Sequence, residues 1–163
     1  MCGFCRRCGF SAGHGSAFTL GRYHADPRFP RALADRRYRI WVERALTEPH
    51  PGTLVLVIGS EGAPGGFLHA EIDKGVADIR LAAVEASAAG IAGPELFRGA
   101  LHEFASRGAT QATARISAAN SAVLNIYASL GFRFDEPEIV FHWHRPNAAH
   151  LVPVLQAFAN LPE

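Results

Sequence analysis

Asn120 and Tyr127 bracket the run Asn120-Ser-Ala-Val-Leu-Asn-Ile-Tyr-Ala-Ser-Leu-Gly131-Phe132. Their spacing is about two helical turns, which sets an amide at the head of a helix and a phenol further along it. A second feature lies upstream, where Ile79–Val84 runs through the small residues Glu85-Ala-Ser-Ala-Ala-Gly90 straight into another helix. Small residues let backbone N–H groups approach a ligand, and a helix N-terminus adds the equivalent of about half a positive charge. The combination is an anion site suited to a pyrophosphate. Both features also have plain structural uses. Asn120 is a good N-cap, and a tyrosine on the apolar helix face packs well as core.

Other residues have chemical potential of their own. His69 and Glu71 share one face of an expected strand, and Asp78 sits on the next, so each is a candidate general base. Each also reads as an ordinary solvated residue. His142 and His144 share a strand face at the spacing of a metal-binding pair, but the sequence offers no third ligand, and no metal is expected there. Cys2, Cys5, Cys8 and His14 could complete a tetrahedral zinc site. They lie in a Gly/Ser-rich stretch with little to brace a metal, so the expectation is a flexible tail. Arg22, Arg28, Arg36, Arg37 and Arg39 would suit a phosphate-bearing ligand, or simply a solvated helix face.

Composition narrows the class. The 163 residues are 48% hydrophobic and 19% charged, enough to bury a core. A net charge of +1 argues against nucleic-acid binding through a basic field. No apolar run is long enough to span a bilayer, and the start of the chain does not read as a secretory signal. A cytoplasmic mixed α/β protein is the expectation.

The elements that must hold these groups follow from periodicity. Residues 1–21 read as tail and 147–163 as a C-terminal helical tail, leaving 22–146 as the domain. Apolar residues at helical spacing predict a helix from Arg31 to about Glu48, stopped by Pro49 and Pro51-Gly52. Thr53–Gly59, Phe67–Asp73 and Val76–Val84 predict three strands of an antiparallel meander, with turns at Glu61–Gly66 and Lys74-Gly75. A helix then runs from Ile91 to about Arg107, capped by Gly108, and Thr110–Ser117 is a strand. The Asn120 helix reaches about Leu130, and Phe132–Phe134 and Ile139–His144 are the last two strands.

The pattern Asn-x7-Tyr-x3-Gly-Phe, placed after a strand, resembles a signature of the GNAT superfamily of acetyl-CoA-dependent N-acetyltransferases. The element order is that family's too, and Leu81–Val84 with the loop and helix beyond resembles its cofactor-binding motif. The resemblance covers about residues 31–144. It implies a mostly antiparallel central sheet flanked by helices, with the family's first strand and helix short or missing here. The family's loop carries an Arg or Gln where Ser87-Ala-Ala-Gly90-Ile-Ala92 has serine; a second register puts Gly93 at the last glycine. Arg22–Pro30 and Asp35–Val42 are similar to acceptor-side elements of dTDP-fucosamine-type sugar acetyltransferases.

The resemblance also assigns roles. Tyr127 would donate a proton to the sulfur of coenzyme A, and Ala83 or Val84 would offer a backbone N–H to the thioester oxygen from a strand bulge. Gly90, Ile91, Ala92 and Gly93 would face the pyrophosphate, and Asn120 the pantetheine or its own helix start. Arg22, Tyr23 and Glu71 are the acceptor-side candidates. The implied activity is direct acetyl transfer to a primary amine of a small molecule such as a nucleotide-linked amino sugar, and a homodimer is compatible with it. A non-catalytic acyl-CoA-binding module, truncated or degenerate in the same fold, is the alternative.

Overall fold

A computed structural model describes residues 18–60, 63–85 and 89–145. The expectations for Cys2, Cys5, Cys8, His14, Ser87 and the C-terminal helix lie outside these residues. Helix α1 (Arg31–Thr47) starts at Pro30, whose carbonyl accepts from the Leu33 and Ala34 N–H groups. Its buried stripe is Ala34, Tyr38, Val42 and Ala45, the spacing of one helix face. Strands β1 (Thr53–Ser60), β2 (Ala63–Asp73) and β3 (Val76–Val84) form the expected antiparallel meander. Helix α2 (Ala89–Ser106) then leads to β4 (Gln111–Ala114), which pairs parallel to β3, and α3 (Ser121–Ser129) follows. The sheet order is β1-β2-β3-β4.

Two cores cover the two faces of this sheet. Leu54, Leu68, Ala70, Ala77 and Ile79 pack against Leu96, Phe97, Ala100 and Phe104 of α2 and Tyr127 of α3. Phe67, Leu81 and Ala83 pack against Tyr38 and Val42 of α1. A bulge in β3 makes this division possible. The pairs His69↔Leu81 and Ala70↔Ile79 leave Arg80 unmatched. One extra residue reverses the alternation. Ile79 therefore faces the α2 core, while Leu81 and Ala83 face α1.

Several boundaries differ from the sequence reading, each for a physical reason. Strand β2 begins at Ala63, not Phe67, because Pro64 and Gly66 are held extended by Gly59 and Ile58 of β1. Gly66 is required there, since a Cβ would stand 2.8 Å from the Ala83 carbonyl oxygen. Helix α2 begins before Ile91, which draws Gly90–Gly93 into its first turns and leaves Pro94 inside the helix. Strand β4 stops at Ala114, where its pairing with β3 ends.

The two final strands are not formed. Phe132–Phe134 and Ile139–His144 join no ladder among the described residues. Ile139, Val140, Phe141 and Trp143 are exposed, while the His142 and His144 rings meet Asp26. Period-two patterning reports an extended backbone, and a strand additionally needs a neighbour to bond.

Candidate active site

Helix α3 shows what the Asn-x7-Tyr-x3-Gly-Phe spacing does mechanically. Asn120 caps the helix, its side-chain oxygen accepting from the Val123 N–H at 3.3 Å. At the other end Gly131 takes φ +82°, its N–H donating to Ala128 O, and the Phe132 N–H donates to Tyr127 O at 3.0 Å. This is the Schellman arrangement, which brings the residue after the glycine onto the last turn. The Phe132 ring accordingly lies 4.7 Å from the Tyr127 ring, and Phe97 of α2 meets Tyr127 edge-on at 5.2 Å. Both caps thus fix the position of one phenol.

Tyr127 is 4% exposed, and burial pushes its pKa up to about 12. The phenol therefore keeps its proton at neutral pH. Its hydroxyl makes no hydrogen bond among the described residues. It is a core aromatic with an unspent donor.

The start of α2 lies beside it. A Cβ on Gly93 would come within 3.3 Å of Ile126 Cδ1, so α3 sits directly over the first turns of α2. Gly90 faces open space on the same turns, with nothing within 4 Å of the point where a Cβ would stand. The first four N–H groups at a helix start, from the N-cap through the third helical residue, have no intrahelical acceptor, which here leaves those of Gly90 and Ile91 available. Ala92 and Gly93 are too far along for that, their N–H groups falling within the helix ladder, and Gly93 packs against α3.

The C-terminal half of β3 completes the arrangement. Parallel pairing with β4 ends at Ile79↔Ala114, whereas β3 continues to Val84, paired on that stretch only with β2. The Glu85 N–H donates to Gly65 O across β2. Strand alternation then turns the Val84 and Ala82 N–H groups to the opposite, unpaired side. Of the two donors expected, Val84 is the one aimed at the gap and Ala83 is aimed at β2. The bulge expected at these residues lies earlier, at Arg80, and Ala83 and Val84 pair in register with Phe67 and Gly66.

The acceptor-side candidates are not gathered with these groups. Glu71 binds Arg80 at 2.8 Å opposite Asp78, which Arg80 also meets at 3.2 Å. That trio lies roughly 20 Å of strand from Val84. His69 shares Glu71's face but is 2% exposed, and neither ring nitrogen has a partner among the described residues. Burial depresses its pKa and keeps it neutral. Tyr23 lies on the α1 side, with the Arg37 guanidinium 4.5 Å and that of Arg22 5.2 Å from its ring centre.

Sequence reasoning missed Asp26 altogether. His142 Nδ1 and His144 Nε2 each lie 2.7 Å from its Oδ2, while the Arg28 N–H donates to Oδ1. The hydrogen bond from His144, then those from Arg28 and His142, hold the carboxyl well below the usual carboxylate range. Only the Asp26-Pro27 turn gave a hint of it.

Comparison with solved structures places this architecture. The chain aligns with the ribosomal-protein-S18-alanine N-acetyltransferase from Escherichia coli at TM-score 0.53 and 19% identity, over 60% of this chain and 61% of that one. The fold is that of the GNAT acetyltransferases. The aminoglycoside N-acetyltransferase AAC(6')-Iy, solved in complex with CoA, aligns at 0.52 and 19%, covering 68% of this chain and 88% of the other. A transcriptional regulator from Bacillus halodurans C-125 aligns at 0.57 and 14%, over 81% and 92%. No protein-family model and no curated protein matches the chain. The chain spans about three fifths of the length of the S18-alanine enzyme.

Proposed function

We propose that this protein is an acetyl-CoA-dependent N-acetyltransferase acting on a primary amine of a small molecule. The observation that carries the reading is the convergence of three features of the GNAT fold. These are the unpaired β3 edge at Val84, the open N-terminus of α2 at Gly90 and Ile91, and the buried phenol of Tyr127 fixed by two helix caps.

The residues fit the cosubstrate. Gly90 leaves room for a pyrophosphate where a side chain would intrude, and the free N–H groups and the dipole of α2 favour its charge. Acetyl-CoA supplies an activated acyl group as a thioester. Val84 donates its N–H to the carbonyl oxygen, on which negative charge grows as the amine nitrogen attacks the acyl carbon. One such preorganised donor is worth roughly 3 kcal/mol of barrier. Tyr127 gives its proton to the departing thiolate, a role its high pKa suits because the donor is protonated at neutral pH. The amine must arrive neutral; the proton its nitrogen sheds on forming the amide passes to water, and water returns one to the Tyr127 phenolate. Asn120 caps its helix with its side-chain oxygen, so its service to the cosubstrate is the orientation of Tyr127.

For the acceptor, Arg22 and Arg37 beside Tyr23 form a cationic cluster on the α1 side, apart from the Val84 edge, that suits the phosphates of an extended amine such as a nucleotide-linked amino sugar. The test is release of free coenzyme A thiol from acetyl-CoA in the presence of a panel of amino sugars, aminoglycosides and peptide amines. Amine-dependent thiol release, with Tyr127→Phe slowing turnover at unchanged coenzyme A affinity, is the expected result. Coenzyme A binding without turnover of any amine would favour the non-catalytic binding module.

A further inference from the structure

We propose that Asp26, His142 and His144 form a binding site for one divalent cation of the zinc class. Two imidazoles and a carboxylate are a donor set that such ions take up, with three protein ligands leaving a position open to water. The ligand atoms Asp26 Oδ2, His142 Nδ1 and His144 Nε2 all lie within 4.8 Å of one another. A tetrahedral ion with bonds of about 2.0–2.1 Å holds its ligand atoms about 3.3 Å apart. The two 2.7 Å contacts therefore need to open by only about 0.6 Å to admit it.

The surroundings favour a metal over a simple hydrogen-bonded clasp. Among the described residues, the ion-pair partners of Asp26 are these two histidines and no Lys or Arg. The carboxylate thus has no Lys or Arg beside it among the described residues, although its side chain is only 11% exposed. Two of the three ligands are also oriented from outside. The Arg28 N–H engages Oδ1 and leaves Oδ2 to face the imidazoles, and the Tyr23 ring stacks on His142 at 5.5 Å. Outer contacts of this kind fix ligating atoms and raise metal affinity. The histidine side chains are 24% and 30% exposed, so an ion can enter from solvent.

Such an ion would join the turn before α1 to the extended segment carrying His142 and His144, which no ladder bonds hold among the described residues. A contact spanning 116 residues of sequence is where a cross-link constrains most. The site shares Tyr23 with the acceptor cluster but none of the groups assigned to acetyl transfer, so either can fail without the other.

The experiment uses the full chain with Cys2, Cys5 and Cys8 changed to serine, which removes the competing thiolates. Calorimetric titration of the chelator-stripped protein with Zn2+ should give one ion per chain. Asp26→Asn and His144→Gln should each weaken binding more than about 100-fold with unchanged circular dichroism. Cobalt substitution of the unaltered site gives a readout independent of folding in the variants: visible ligand-field bands of a four- or five-coordinate nitrogen and oxygen site, quenched by Zn2+. No binding in the cysteine-free chain, binding unaffected by both ligand changes, or a cobalt spectrum like the hydrated ion would overturn the proposal.

Discussion

Tyr127 concentrates the chemistry proposed for this molecule, and its environment makes a clear forecast. If it protonates the leaving thiolate, Tyr127→Phe removes one hydroxyl and no packing. Turnover should fall about 100-fold or more, while melting temperature and coenzyme A affinity stay near wild type. Equal turnover in the two proteins would remove the phenol from the mechanism. His69 makes a different forecast. Its imidazole is buried without partners among the described residues, and its pKa is depressed. The unfolded chain binds a proton near pH 6.5 that the native state refuses until lower pH, so stability falls as pH drops from about 6.5 toward the folded value. His69→Leu should abolish that slope in denaturant titrations between about pH 7 and pH 5, with little loss of stability at pH 7. A slope that persists would mean another group titrates.

Elements translate these residues into positions, and here the sequence was most legible where local physics decides. Helix α3 could be read end to end because Asn120, Gly131 and Phe132 are caps whose geometry is local. Asn120→Ala should cost about 1 kcal/mol of stability and lower turnover through Tyr127; a loss of affinity without a stability change would assign Asn120 to the ligand instead. Helix α2 was read two residues late, since Pro94 suggested a start that the preceding small residues already provide. Gly90→Ala tests its open face: the methyl meets no protein atom, and alanine favours a helix by up to about 1 kcal/mol. The variant should melt no lower than wild type yet bind coenzyme A roughly tenfold more weakly. Undiminished affinity would move the pyrophosphate elsewhere.

At the scale of the whole molecule, the three-layer order was legible from alternating periodicities, and the long-range pairings were not. Nothing in Ile79-Arg80-Leu81 announces a bulge, because its cause is the need to feed two cores on opposite faces of one sheet. Asp26 escaped notice for the same reason: its partners are brought to it by tertiary structure alone. The missing final strands show the converse, an extended pattern written in the sequence without a neighbour to complete it. At that scale the proposed acetyl-CoA site needs the β3 edge left unpaired beyond Ile79, the start of α2 and Tyr127 to act together. Calorimetric titration with acetyl-CoA tests that claim most directly. Saturable binding of one molecule per chain, competed by coenzyme A and weakened by Gly90→Ala, is the predicted result. Absence of binding at concentrations up to about 1 mM, where even −4 kcal/mol would register, would contradict it.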